Sequence, residues 1–266
     1  MRVSKNLQSL LKSVDAKEKD KNVSDYGLRF ISDLYYSISQ DSTKNIHKAS
    51  KTFKPSSMKC PRNMQYQVMG VEPAEDKISP ELVGILESGT DRHIRLQQAI
   101  MNMKKNGIDC EYIDVADFVE QRGLTDLEIK SRSGIETKLY NKRWNISFMC
   151  DGLIKYLDRY FILEIKTETT RKNYSRTTMA EEHLPQVCAY YLSFNIPDIM
   201  MLYENRDNCT KKAYSVVVTE KQKIIEVVNK INTVNECIAN NTLAPCNLDA
   251  CKYCRYIKKC KGDGQK

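Results

Sequence analysis

The sequence predicts an α/β fold: a mixed central β-sheet flanked by helices, with an N-terminal helical arm and a C-terminal cysteine-rich segment. Three observations predict it. Residues 144–154 (WNISFMCDGLI) and 160–167 (YFILEIKT) are apolar-rich runs of strand length, joined by a polar corner at Leu157-Asp158-Arg159. Apolar residues recur at helical spacing both upstream, from Ser79, and downstream, over 220–239. The resulting order, strand, strand, helix, strand, strand, helix, suits a mixed sheet covered by helices.

Taken in order, residues 1–54 are rich in Lys, Ser, Asp and Asn, with Leu7, Leu10, Leu11 and Val14, then Leu28, Ile31, Leu34 and Tyr35, at helical intervals. They read as an arm ahead of a domain covering 55–266. Pro55 and Pro61 frame an entry segment. Ser79-Pro80 supplies a cap and a first-turn proline for a long helix whose face carries Leu82, Ile85, Leu86, His93, Leu96 and Ile100. Gly89 on that face marks a place for a kink or break, and Asn106-Gly107 is a turn. The periodicity changes near Gly134. After the two strands a helix is expected over 179–194, with Pro185 starting its regular part or bending it. Strands at 198–203 and 212–218 follow, then a helix with Ile224, Ile225, Val228, Ile231 and Val234 apolar.

Composition narrows the function. The chain has 266 residues, 41% of them hydrophobic, so it is not a wholly disordered protein. No run approaches the roughly 18 apolar residues of a membrane span, and the first twenty residues lack the apolar block of a secretory signal. A cytoplasmic protein with no membrane partner is expected. The net charge of +8 suits a polyanion. There is no GxxxxGK[ST], hence no ATP motor. Of ten cysteines, Cys110, Cys150, Cys188, Cys209 and Cys237 are scattered and read as ordinary thiols, whereas Cys246, Cys251, Cys254 and Cys260 crowd the tail.

Two constellations carry chemistry. Glu164 and Lys166 are two apart in a strand and share a face, and Asp151 in the neighbouring strand can join them. Converging carboxylates repel unless a cation bridges them, and hard Mg²⁺ or Mn²⁺ is the natural occupant. Lys166 could then orient a water and stabilise phosphoryl charge. The plainer reading is a structural ion pair, because Glu-x-Lys recurs at Glu128-Ile129-Lys130 in a polar stretch. Gln186 and Tyr190 share a helix face and either steer a nucleic-acid backbone or simply pack. His93 is either a third ligand or an ordinary helix residue. Cys251-x2-Cys254-x5-Cys260 gives three thiols that want a fourth, from Cys246 or from Cys60, around zinc or an iron–sulfur cluster. Lys252, Arg255, Lys258 and Lys259, interleaved with tyrosines, suit a single-stranded backbone or offset the charge of a thiolate cluster.

Taken in this order, Gly89-x3-His93, Asp151, Glu164-x-Lys166 and Gln186-x3-Tyr190 resemble the RecB-like branch of the PD-(D/E)xK nucleases, with a restriction-endonuclease-like core, from Pro55 to Cys260. The resemblance implies His93, Asp151, Glu164 and the backbone carbonyl of Ile165 as metal ligands, with Lys166 as the catalytic lysine and Gln186 and Tyr190 near DNA. One departure is Cys150, which stands where proline would precede Asp151. Cys60-Pro61-Arg62 before these motifs and the cysteine tail after them resemble the iron–sulfur members: four-cysteine CRISPR adaptation nucleases, exonuclease V and the AddB nuclease domain. By that analogy Cys60, Cys251, Cys254 and Cys260 hold a [4Fe-4S] cluster; a local structural Zn²⁺ using Cys246 is the alternative. In the entropic model of a staple, closing so long a loop restricts the unfolded chain by roughly 4–5 kcal/mol.

The resemblance implies a Mg/Mn-dependent deoxyribonuclease, exonuclease rather than endonuclease, acting on single-stranded DNA with free ends. Its settings would be recombination, end processing or CRISPR adaptation, beside a recombination, helicase or adaptation protein. A stand-alone Lys- and Asn-rich chain would also suit a bacteriophage. The rivals are a non-catalytic DNA-binding scaffold on the same fold and a zinc-structured nucleic-acid binder.

Overall fold

The computed structural model describes residues 26–43, 50–73, 79–133, 136–218 and 221–264. The chain divides into two compact units, residues 1–46 with 77–83 and residues 47–76 with 84–266. The smaller contains α1 (Tyr26–Thr43), which covers the expected helical positions Leu28 to Tyr35. The expected helix at Leu7 to Val14 lies outside the described residues. The expected boundary at 54/55 moves upstream. Phe53 is fully buried, and its backbone donates to the Asn145 carbonyl at 2.8 Å and accepts from the Ser147 amide at 2.9 Å, so it belongs to the larger unit.

In chain order the remaining elements are α2 (Pro61–Val68), α3 (Pro80–Met101), β1 (Cys110–Ile113), α4 (Val115–Gln121), β2 (Leu127–Ser133), β3 (Glu136–Asn141), β4 (Ile146–Phe148), β5 (Gly152–Tyr156) and β6 (Arg159–Glu168). They continue with α5 (Thr170–Ser175), α6 (Leu184–Phe194), β7 (Asp198–Asn205), β8 (Lys211–Val217), α7 (Lys221–Ala239) and α8 (Ile257–Asp263). Short 3₁₀ turns lie at Pro55–Ser57, Glu181–His183 and Leu248–Tyr253.

The fold is α/β, built on a mixed five-stranded sheet in the order β1-β5-β6-β7-β8 and flanked by helices. β6 and β7 run parallel and every other neighbouring pair is antiparallel. A parallel pair needs a crossover, and here it is the stretch from α5 to α6. Pro185 sits in the first turn of α6, where its missing N–H costs nothing, and Asn195 ends the helix at φ 54°. The tight β5–β6 corner places Leu157 and Asp158 at positive φ, as a two-residue hairpin requires. Leu153 and Ile162 of the sheet, Val187 of α6, and Ile231 and Val234 of α7 lie in the main core. A second sheet, β2-β3-β4, is antiparallel throughout.

Three expectations change. Residues 144–154 are not one strand: the chain leaves one sheet after Phe148 and enters the other at Gly152, so Asp151 sits at the entrance of β5 rather than within a strand. α3 runs unbroken through Gly89, and its early apolar residues Leu82, Ile85 and Leu86 are exposed while Leu96 is buried. β1, β2 and β3 were not expected; in β2 the alternation Leu127-Glu128-Ile129-Lys130 is cut short by the register shift before Ser131, after which Ser131 and Arg132 are both exposed.

Among the described residues no helix is long and apolar enough to cross a membrane.

Candidate functional site

Asp151, Glu164, Lys166 and His93 are brought together by the antiparallel register of β5 and β6. Gly152 pairs with Leu163, so Asp151 falls one step further, beside Glu164. The Ile165 amide donates to Asp151 Oδ2 at 2.5 Å, which fixes the carboxylate against β6. On the other side His93, from the middle of α3, brings Nδ1 to 2.9 Å from Asp151 Oδ1. Glu164 is buried at the end of the apolar run Phe161-Ile162-Leu163. Lys166, on the same face, donates to Glu164 Oε1 and to Gln186 Oε1, the latter at 3.2 Å.

Gln186 and Tyr190 take a different place from the one expected. Both are buried and turned inward, not toward a DNA surface. Gln186 Nε2 donates to Glu164 Oε1 at 2.6 Å and to the Tyr190 hydroxyl at 2.8 Å, and Tyr190 donates to Glu164 Oε2 at 2.9 Å. The α6 face that presents them packs on the sheet, so their hydrogen-bonding capacity goes to the carboxylate. Each Glu164 oxygen therefore has a donor, as a buried charge requires.

The electrostatics reflect two acids forced together. Burial, and next the Asp151 charge, push Glu164 up to about 7 despite the nearby Lys166 ammonium. For His93 burial is the largest influence and pulls its pKa down. The hydrogen bond to Asp151, with the Asp151 and Glu164 charges, outweighs it and leaves His93 above its ordinary value. Tyr190 is raised well above its ordinary value by burial and by Glu164, so it remains a protonated donor.

Among the described residues, no group of three or more His, Cys, Asp or Glu side chains is spaced to hold a metal ion. Within the protein Glu164 pairs with the Lys166 ammonium, and Asp151 hydrogen-bonds the His93 imidazole, an ion pair when that ring is protonated. The donor types are nonetheless those a hard divalent cation takes: an imidazole and two carboxylates, one of which, Glu164, is costly to bury as an anion until more positive charge arrives.

Three supporting residues escaped the sequence reading. Gln97, buried on α3 one turn after His93, donates to the Asp151 carbonyl at 2.6 Å, and Tyr112 of β1 donates to the same oxygen at 2.7 Å. Gly152 is required here, because a Cβ would lie 2.7 Å from the Tyr112 hydroxyl. The spacing of Gln97 from His93 was the available signal. Tyr112 and Gly152 meet only through the β1–β5 pairing and give none. His183 is held down at about 4 by burial, then by the Lys166 charge, so a neutral imidazole sits within the field of that lysine.

The cysteine segment forms a separate cluster. Cys60, Cys246, Cys251, Cys254 and Cys260 all line one small cavity, closed by Arg62, Asn63, Tyr66 and Tyr256. Cys246 Sγ lies 3.9 Å from Cys251 Sγ and 3.6 Å from Cys260 Sγ. N–H groups point at the other sulfurs: the Asn247 amide to Cys60 at 3.3 Å and Asn63 Nδ2 to Cys254 at 3.4 Å. Arg62 Nη1 is 3.8 Å from Cys260 Sγ. None of the ten cysteines is in a disulfide. Cys246 is pushed up to about 12 by burial and by hydrogen bonds with Cys260 and Cys251.

Five thiols share this cavity, one more than a tetrahedral site uses, and among the described residues no three of them are placed to hold a metal ion. Cys60 and Cys246 are both present, so the geometry does not choose between them. α2 and the C-terminal segment are tied together here in any case. Gln65 of α2 bonds the Thr242 carbonyl and the Ala244 amide, and Tyr66 donates to Asp263 at 2.8 Å. Of the basic residues expected on DNA, Arg255 and Lys258 are exposed. Lys259 pairs with Asp263 and lies over the Tyr66 ring. The Lys252 side chain lies outside the described residues.

No family model matches this chain, and no curated protein does. Among solved structures, the crystal structure of SSO0001 is similar over 88% of this chain and 97% of that one, at 14% identity and a TM-score of 0.45.

Proposed function

We propose that this chain is a metal-dependent deoxyribonuclease. The observation that carries the reading is the convergence of Asp151 and Glu164 at one point beside the sheet, with the Lys166 ammonium on Glu164 and the His93 imidazole on Asp151. A purely structural ion pair does not need a second, part-buried carboxylate whose charge raises the pKa of the first. Perturbed groups of this kind favour a site of chemistry.

In this reading Asp151, Glu164, His93 and the Ile165 carbonyl hold Mg²⁺ or Mn²⁺. The cation, when bound, supplies Lewis-acid stabilisation of the charge that develops on a phosphoryl group. Lys166, released from Glu164, offers its ammonium to an attacking water and to the phosphoryl oxygens. Gln186 and Tyr190 hold Glu164 in one orientation, and Gln97 and Tyr112 hold the Asp151 backbone. Cys60, Cys251, Cys254 and Cys260 hold an iron–sulfur cluster that closes the unit without entering the cleavage step. Arg255 and Lys258 supply exposed positive charge for a single-stranded backbone, so DNA with free ends is the proposed substrate. One observation favours a second metal reading for the tail: the short approaches of Cys246 to Cys251 and Cys260 would also serve a local zinc site.

The test is cleavage of end-labelled single- and double-stranded DNA by protein purified without oxygen, in Mn²⁺, Mg²⁺ or chelator, with iron and zinc measured on the same sample. Metal-dependent products support the reading. A folded protein that binds DNA and never cuts it favours the scaffold, and one zinc with no iron assigns the tail to zinc.

A further inference from the structure

Five cysteines meet at one cavity where a tetrahedral metal site uses four, so one thiol is left over. Their hydrogen bonds sort them. Cys60 accepts from the Asn247 amide at 3.3 Å, Cys254 accepts from Asn63 Nδ2 at 3.4 Å, and Cys260 has Arg62 Nη1 at 3.8 Å. The Cys246 sulfur, among the described residues, bonds other sulfurs alone: Cys260 at 3.6 Å and Cys251 at 3.9 Å. The surplus thiol therefore stands against two others instead of against N–H donors.

The closer of these two contacts is built into the fold, because Arg62 of α2 holds both of its sides. The Arg62 amide donates to the Pro245 carbonyl at 3.1 Å and its Nε donates to the Ala244 carbonyl at 2.8 Å, which pins the chain just ahead of Cys246. Its Nη1 reaches the Cys260 sulfur. Cys260 itself lies in α8, and Tyr66, also of α2, donates to Asp263 Oδ2 at 2.8 Å in the same helix. Cys246 and Cys260 are both part-exposed, whereas Cys60 is buried. Shortening a 3.6 Å approach to a disulfide bond of roughly 2.05 Å asks for a small side-chain rotation at each residue.

We infer that Cys246 and Cys260 form an oxidative modification site, joined by peroxide into a disulfide in the metal-free chain. Cys260, with the Arg62 guanidinium beside it to balance negative charge on its sulfur, attacks the peroxide. An S–O bond forms, the O–O bond breaks and one water leaves. Cys246 then attacks that sulfur. The S–S bond forms, the S–O bond breaks and a second water leaves. Two thiols lose two electrons, and one hydrogen peroxide is reduced to two waters. The consequence for metal loading rests on the reading of the tail as a metal site. Cys260 is a ligand in the iron–sulfur reading and in the zinc reading alike, so the linked chain keeps three thiols where four are needed. The surplus cysteine thereby makes loading of the tail sensitive to peroxide.

The test treats the reduced, metal-free full chain with hydrogen peroxide, alkylates the remaining thiols and maps linked peptides by mass spectrometry, with fragmentation that tells Cys246 from Cys237 and Cys251. It is run in Cys209→Ser, which removes the exposed thiol beside Arg92 and the links between chains that it would make. A Cys246–Cys260 linkage, reversed by dithiothreitol, is the expected main product. Cys246→Ser should lose it, and Zn²⁺ added before the peroxide should suppress it. No such linkage, or Cys246 joined to Cys251 in its place, overturns the inference. The map of the chain that retains Cys246 decides this even if Cys246→Ser fails to fold, which thermal unfolding checks. Zinc and iron uptake is then measured on the same samples. The reduced chain should take up metal, the oxidised chain should lose that uptake, and dithiothreitol should restore it. If the linkage forms and uptake is equal in the two states, the metal reading of the tail fails and the disulfide stands. If metal is taken up and peroxide makes no linkage, the inference fails and the metal reading stands.

Discussion

Glu164-Ile165-Lys166 in β6 and Glu128-Ile129-Lys130 in β2 are the same tripeptide in the same kind of element, and in both the lysine donates to the glutamate two residues before it. Their surroundings differ. The side chains of Glu128 and Lys130 are 47% and 42% exposed, against 4% and 25% for Glu164 and Lys166. Lys130 lies over the Tyr140 ring, next to a bulge in β2. Glu164 has an amide, a phenol, an ammonium and a second carboxylate around it. An exposed pair of this kind is worth roughly 0–1 kcal/mol because water screens it. The buried one must be compensated group by group. On the proposed reading, chemistry at Glu164 therefore depends on what β5, α3 and α6 bring to the tripeptide.

The sharpest way to break this contrast is to remove a carboxylate. Asp151→Ala or Glu164→Ala should lower metal-dependent DNA cleavage by on the order of 10²–10⁴, whereas Glu128→Ala should leave the rate of product release from end-labelled DNA unchanged. Gln97→Ala should act through Asp151. Losing a group that orients a ligand weakens metal binding by about 10–100-fold, which a Mn²⁺ titration by electron paramagnetic resonance would read without any substrate.

The next effect is on stability. Folded Glu164 holds its proton up to about 7, above its ordinary 4.5. As pH rises between those values the unfolded chain releases a proton that the folded chain keeps, so stability falls. His93, raised above its ordinary 6.5, works in the same direction: its contribution is full below 6.5 and is lost as pH climbs through its folded value. Metal-free protein should therefore lose Tm across this window. Glu164→Gln should flatten the loss, Mn²⁺ should counter it increasingly at higher pH, and Glu128→Gln should do nothing to the profile.

Smaller still, Tyr190→Phe removes a donor from a buried carboxylate oxygen and should cost about 1–3 kcal/mol in urea unfolding. Removing the exposed Glu128–Lys130 pair should cost under about 1 kcal/mol.

Much of this was legible in the chain. The run Phe161-Ile162-Leu163 ahead of Glu164 marked a charge at the end of a buried strand, and the β6–β8 and α7 positions followed from apolar spacing. Other parts depend on contacts that no local pattern records. The break before Gly152 falls inside an apolar stretch, and the need for glycine there comes from the Tyr112 ring of another strand. Gln186 and Tyr190 were correctly set on one helix face, but four-residue spacing does not say whether that face meets solvent or the sheet. The tail cysteines announced themselves by spacing. That Cys60 and Cys246 would both reach their cavity depended on α2 clasping the segment at Thr242 to Ala244.

The most direct measurement compares Lys166→Ala with Lys130→Ala in the Mn²⁺ cleavage assay, with DNA binding measured in chelator on the same preparations. The account predicts that Lys166→Ala still binds DNA but loses cleavage by about 10²-fold or more, while Lys130→Ala cuts like the wild type. Equal activity in the two variants, or a wild type that binds and never cuts, would contradict it.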